Sequence, residues 1–233
     1  MIKKDTQGVT FAKGFTAAGV KAGIKKSGNL DVAVIYTKTQ AVVAGTFTQN
    51  KVAAAPVYVS KEVVATGTAH AIVANAGCAN ACTGQQGLDD AHKMAQIAAD
   101  ELGVNADDVI VGSTGVIGVS LPMDKLEAGI KDAVANLSAD GSGNAGRAII
   151  TTDTHSKSVT CEFELSGKTV RMGAIAKGSG MIRPNMATML CYITTDIAID
   201  QALLQKAVSG CVEKSFNMIS VDGDNGNHVE GFF

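Results

Sequence analysis

The chain has 233 residues, of which 46% are apolar and 18% charged, and a formal net charge of -2. That length suits one large or two small domains around a substantial core, and the composition excludes a predominantly disordered chain. With no basic surplus, no tryptophan and 4% aromatic residues, the sequence lacks the charge and the stacking platforms of a nucleic-acid binder.

The Lys3-Lys4 and Lys25-Lys26 pairs read as solvated surface. Cys78, Cys82, Cys161, Cys191 and Cys211 are odd in number and show no metal-ligand spacing, so free, buried thiols in a reducing compartment are expected. The start Met1-Ile-Lys-Lys-Asp5 has no apolar leader, and no apolar run approaches the roughly 20 residues of a membrane span. A cytoplasmic protein without membrane contact is the expectation.

Short apolar runs rich in β-branched residues predict strands over 31–37, 41–47, 71–76, 109–113, 148–154, 158–165, 169–176, 188–195 and 217–221. One-sided apolar periodicity predicts helices over 88–102, 122–137 and 200–216. Residues 148–176 read as an antiparallel meander. Strands outnumber helices, so an α/β layered sandwich of sheets flanked by helices is expected rather than a simple doubly wound sheet. Neither G-x-G-x-x-G after a strand nor G-x-x-x-x-G-K-[ST] occurs, which removes the common nucleotide-binding loops.

Four segments have chemical potential. Asn75-Ala-Gly-Cys-Ala-Asn-Ala-Cys-Thr-Gly84 is a polar, small-residue stretch that suits either a cavity lining or the approach to a helix. Val109-Ile-Val-Gly-Ser-Thr-Gly115 leaves a strand through a glycine-rich turn. There the Thr114 hydroxyl and the Gly115 N–H can converge as an oxyanion hole, although a tight turn alone explains the glycine. Thr151-Thr-Asp-Thr-His155 ends a strand in hydroxyls: Thr154 can hold a substrate carboxylate or amide, His155 can serve as a base or orient Thr154, and a polar strand end fits equally.

The fourth segment, Lys177-Gly-Ser-Gly-Met-Ile-Arg-Pro-Asn-Met-Ala-Thr188, places a threonine behind the compact Ala187 at the head of an apolar strand. Its hydroxyl can attack the Ala187 carbonyl. Cleavage then frees an N-terminal threonine whose α-amine, with a reference pKa of about 8, serves as base for its own hydroxyl. Lys177 can pair with a carboxylate ligand; a surface lysine and a turn entering a core strand are the plainer alternatives. Asp222-Gly-Asp-Asn-Gly226 hints at a calcium loop but has Asn227 and Phe233 where an EF-hand needs Gly and Glu, so no metal is assigned.

Taken in order, several segments resemble the glutamate N-acetyltransferase / ornithine acetyltransferase family of arginine biosynthesis. They include Gly14-Phe-Thr-Ala-Ala-Gly19, Asn80-Ala-Cys-Thr-Gly84, Ser113-Thr-Gly-Val-Ile-Gly118, Thr151-Thr-Asp-Thr154, Lys177-Gly-Ser-Gly180, Pro184-Asn-Met-Ala-Thr-Met-Leu190 and Ser215-Phe-Asn-Met-Ile-Ser-Val-Asp-Gly-Asp224. The resemblance covers residues 9–224. It implies self-cleavage between Ala187 and Thr188 into an α piece (1–187) and a β piece (188–233), with a fold similar to the self-processing N-terminal-nucleophile aminopeptidases. Thr188 would then carry an acetyl group from N-acetylornithine to glutamate.

On the same resemblance Thr114 and Gly115 form the oxyanion hole, and Thr154, Lys177 and Thr188 contact substrate. No cofactor is implied, although some members also accept acetyl-CoA as co-substrate, and the expected assembly is a heterotetramer of two α and two β pieces. Family members have a much longer β piece, and Asn225–Phe233 departs from their pattern, so this chain alone is expected to transfer acetyl groups weakly. Two other readings stand beside this one: a self-processing aminopeptidase or amidase, and an inactive truncated fragment.

Overall fold

A computed structural model describes residues 2–4, 7–181 and 189–222. The described elements run β1 (Ile2–Lys4), β2 (Phe15–Val20), β3 (Val32–Val42), α1 (Ala55–Thr66), β4 (Thr68–Cys78), α2 (Gly84–Leu102), β5 (Val109–Val116), α3 (Met123–Ala135), α4 (Ser142–Ala148), β6 (Lys157–Leu165), β7 (Lys168–Lys177), β8 (Leu190–Thr195) and α5 (Gln201–Glu213). They build two four-stranded sheets, β2-β3-β4-β5 and β1-β6-β7-β8. The first is mixed, with β4 and β5 parallel around the α2 crossover; the second is antiparallel throughout.

Alternation along each strand creates the layers. In the first sheet Val20, Val32, Val34, Val73 and Val111 face α1, α2 and α3, where Val59, Met94, Ala98, Leu126 and Ile130 cover them. The intervening Ala17, Ala33, Ile35, Ile72 and Ala74 face the second sheet and meet Ile175, Leu190 and Tyr192. The outer face of β8 receives α5 through Cys191 and Val212. The order is therefore helices, sheet, sheet, helix, which is the expected α/β sandwich. Burial on both faces explains the nearly continuous apolar runs of β3, β4 and β5. None of the described helices is long and apolar enough to cross a membrane.

Three predicted strands change. The run over 41–47 only completes β3 at Val42, and residues 43–50 form no strand. The run over 148–154 is instead the end of α4 and a polar loop; Ile149 is buried between the sheets, while Asp153 turns inward to accept a hydrogen bond. Residues 217–221 form no strand either, because Met218 and Val221 stay exposed after a single turn at Phe216–Met218. The strand expected from Thr188 begins, among the described residues, at Leu190.

Helix α4 lies backbone to backbone on β2. A Cβ on Gly141 would sit 1.7 Å from the Ala17 carbonyl oxygen, and one on Gly19 would sit 2.1 Å from the Asn144 carbonyl oxygen. Gly141→Ala or Gly19→Ala should therefore cost about 3 kcal/mol or more, since neither backbone can retreat. Gly210→Ala, on an open part of α5, should stabilise by about 1 kcal/mol through helix propensity alone. Urea unfolding of the three variants checks both signs.

Candidate active site

The parallel strands β4 and β5 end side by side, and their last turns fix the backbone of the predicted oxyanion hole. The pairing carries a bulge at Gly77 and Cys78, with Gly77 opposite Gly115. Buried polar side chains hold this bulge: Ser113 Oγ donates to Asn75 Oδ1 at 2.6 Å, and Asn75 Nδ2 donates to the Cys78 carbonyl at 2.9 Å. Gly115 has φ of +135°, and a Cβ there would stand 2.4 Å from the Gly77 carbonyl carbon. Only glycine fits both the torsion and the contact.

Thr114, buried beside this turn, meets the second sheet. Lys177 Nζ donates to Thr114 Oγ1 at 3.1 Å across 63 residues of sequence. Lys177 is 3% exposed and ends β7, where its register partner is Leu190 at the start of β8. Thr114, Gly115 and Lys177 thus converge where both sheets open at the same end. Ala187 and Thr188 lie outside the described residues; β8 begins two residues after Thr188.

Charge is unevenly supplied here. Burial pushes the Lys177 ammonium below the usual lysine range; the Asp153 carboxylate pulls against that fall and the Lys157 charge adds to it. Asp153 accepts from the Gly178 N–H at 2.9 Å and from Lys157 Nζ. Burial raises the Asp153 pKa, but these two hydrogen bonds and the Lys157 and Lys177 charges outweigh it and hold the carboxyl below its ordinary value.

Lys25 is a correction to the surface assignment of the Lys25-Lys26 pair. Its ammonium is part-buried and donates to the carbonyls of Leu30 at 2.5 Å and Ala148 at 3.0 Å. Burial brings its pKa down to about 8 against the pull of Asp31, with Lys177 lowering it further. Asp31 is itself buried and collects the N–H groups of Ala22, Ile24 and Lys25, so the turn carrying Lys25 is fixed against Gly77.

Thr154 is on the exposed side of the loop that buries Asp153, and its Oγ1 lies 3.1 Å from His155 Nδ1. The structure therefore brings Thr114, Gly115 and Lys177 together, and leaves Thr154 facing solvent. Sequence reasoning passed over Asp153, Lys157 and Lys25. The four-residue spacing of Asp153 and Lys157 was the available signal, hidden among hydroxyls that drew the chemical reading. The stretch from Asn75 resolves into the end of β4 and the approach to α2, where Asn80 Nδ2 donates to the Gly87 carbonyl at 2.8 Å. Among the described residues no three His, Cys, Asp or Glu side chains gather as metal ligands.

Known proteins match this chain nearly end to end. The ArgJ family profile matches residues 16–227. The arginine biosynthesis bifunctional protein ArgJ of Symbiobacterium thermophilum is 51% identical over 219 residues, covering 93% of this chain and 54% of that protein. The chain thus spans about half the length of the curated relatives it matches.

Among solved structures, the ornithine acetyltransferase of Mycobacterium tuberculosis, crystallised with ornithine, aligns with a TM-score of 0.73 and 40% identity over 81% of this chain and 100% of that chain. The L-aminopeptidase D-Ala-esterase/amidase of Ochrobactrum anthropi aligns over 99% of this chain and 74% of that chain with a TM-score of 0.58. At 12% identity this second likeness concerns the fold alone, a variant of the N-terminal-nucleophile hydrolase fold. By profile, sequence identity and structure together, the chain belongs to the ArgJ family.

Proposed function

We propose that the chain belongs to an acetyltransferase that moves an acetyl group from N-acetylornithine to glutamate through an acetyl ester on Thr188. The observation that carries this reading is the hydrogen bond from buried Lys177 to Thr114 beside the positive-φ Gly115. A threonine hydroxyl has one proton to donate and two lone pairs to accept with. With Lys177 occupying a lone pair, the proton remains for an oxygen acquiring negative charge, and the Gly115 N–H supplies a second donor.

The Thr188 hydroxyl attacks the Ala187 carbonyl, the acyl group shifts from nitrogen to oxygen, and water hydrolyses that ester. This leaves an α piece ending at Ala187 and a β piece starting with a free Thr188 amine. That amine takes the hydroxyl proton while the oxygen attacks the acetyl carbonyl of N-acetylornithine. The tetrahedral oxyanion faces Thr114 and Gly115, and the ornithine amine leaves protonated. Glutamate's amine then attacks the ester and regenerates Thr188. The scheme needs no cofactor, and acetyl-CoA would serve as a second donor at the same ester-forming step. Two α and two β pieces would make the working particle, in the cytoplasm.

The full-length gene product, incubated with N-acetylornithine with and without glutamate, provides the test. Expected are an acetylated β piece without glutamate and N-acetylglutamate when it is added. Steady acetate release that ignores glutamate would identify a hydrolase and remove the transferase reading.

A further inference from the structure

The carboxylate of Asp153 is more deeply buried than its visible partners require. Its side chain is 0% exposed, whereas the Lys157 side chain paired with it is 40% exposed. Oδ1 takes the Lys157 ammonium and the Gly178 N–H, while Oδ2 is buried with no hydrogen-bond partner among the described residues. An ion pair with a half-exposed lysine does not by itself offset the desolvation of a carboxylate. The remaining compensation is charge. Lys177, one residue before Gly178, and Lys25 both interact electrostatically with Asp153.

We infer that Asp153 is a positioning residue of this site, the counter-charge that keeps the Lys177 ammonium in place against the Thr114 hydroxyl. Two links converge on this assignment. The Gly178 N–H bond fixes the backbone directly after Lys177, at the end of β7. The buried negative charge opposes the desolvation that lowers the Lys177 pKa. Once deprotonated, Lys177 could still donate, but as an amine, and the charge-assisted character of its bond to Thr114 would be lost.

The charged groups around Lys177 come from three elements. Asp153 lies in the loop after α4, Lys157 begins β6, and Lys25 is carried by the turn after β2. Asp153 therefore stands among three cations, Lys177, Lys157 and Lys25, the last of which is also held by the buried Asp31. Removing the anion and removing a competing cation must then move Lys177 in opposite directions.

The catalytic importance of this arrangement rests on the proposed acetyl transfer, but its test does not. The protein is labelled with carbon-13 at lysine Cε, and the Lys177 signal is assigned by its loss in Lys177→Arg. Its titration midpoint is then followed by NMR. In Asp153→Asn, which retains an oxygen for the Gly178 N–H, the midpoint should fall by about one pH unit or more. In Lys157→Met it should rise. A midpoint that falls by less than that, stays or rises in Asp153→Asn overturns the inference.

Should Asp153→Asn fail to fold, Asp153→Ser decides on the same reading: a fall of about one pH unit or more sustains the assignment and any other result overturns it. Failure to acetylate Thr188 in the wild type would sink the proposed reaction and leave the titration result standing, so the two ideas fail separately.

Discussion

Thr188→Ala should leave the polypeptide a single uncut chain that never accepts an acetyl group. The proposed cut depends on an oxygen nucleophile at that position. Thr188→Ser keeps the oxygen and should still cut, more slowly, because it lacks the methyl group that limits its rotamers. Intact-mass spectra over time would separate the three proteins. The wild type should give two pieces, the serine variant should follow later, and the alanine variant should give one species throughout.

For an alanine form made already cut, by joining separately produced pieces, acetyl transfer should fall by on the order of 10⁴-fold or more, as when an enzyme loses its nucleophile. The wild-type acylation rate should rise about tenfold per pH unit and level off near pH 8, where the α-amine is half unprotonated. Cleavage at the same bond in Thr188→Ala would remove that residue from the self-processing step.

How much of this was legible depends on what each residue had to declare. Strands β3 and β4 announced themselves because β-branched side chains pack on both faces, and α2 and α3 because their apolar residues fall on one face. Strand β2 was silent: Phe15-Thr-Ala-Ala-Gly-Val20 is built from small residues that let α4 approach its backbone, and small residues carry little periodic signal. Helix α1 was disguised by four valines and a tyrosine, types enriched in strands. Tertiary packing overrides that preference, with Val59, Val63 and Val64 all buried.

The site divides in the same way. Thr114, Gly115 and Lys177 stand in segments whose composition suggested chemistry. Their meeting required two sheets to stack, which no local pattern records. Asp153 is the clearest omission. In sequence, a fully buried carboxylate is indistinguishable from one on the surface, and only the fold shows which lysines surround it.

Thr114→Val tests whether that meeting is functional. Valine matches the shape of threonine but cannot donate to an oxyanion, and losing one such donor typically costs about 3 kcal/mol, or 10²–10³ in rate. The same change leaves the Lys177 ammonium buried without its acceptor, with a stability penalty of about 1–3 kcal/mol. Two quantities should therefore move together: kcat for acetyl transfer and the urea midpoint. Thr114→Ser, which keeps the hydroxyl, should recover most of both. If Thr114→Val loses stability but transfers acetyl at the wild-type rate, Thr114 serves only as a resting place for a buried lysine. If the rate collapses while serine restores it, the lysine and the hydroxyl act as one unit, with the charge behind the oxygen and the proton ahead of it.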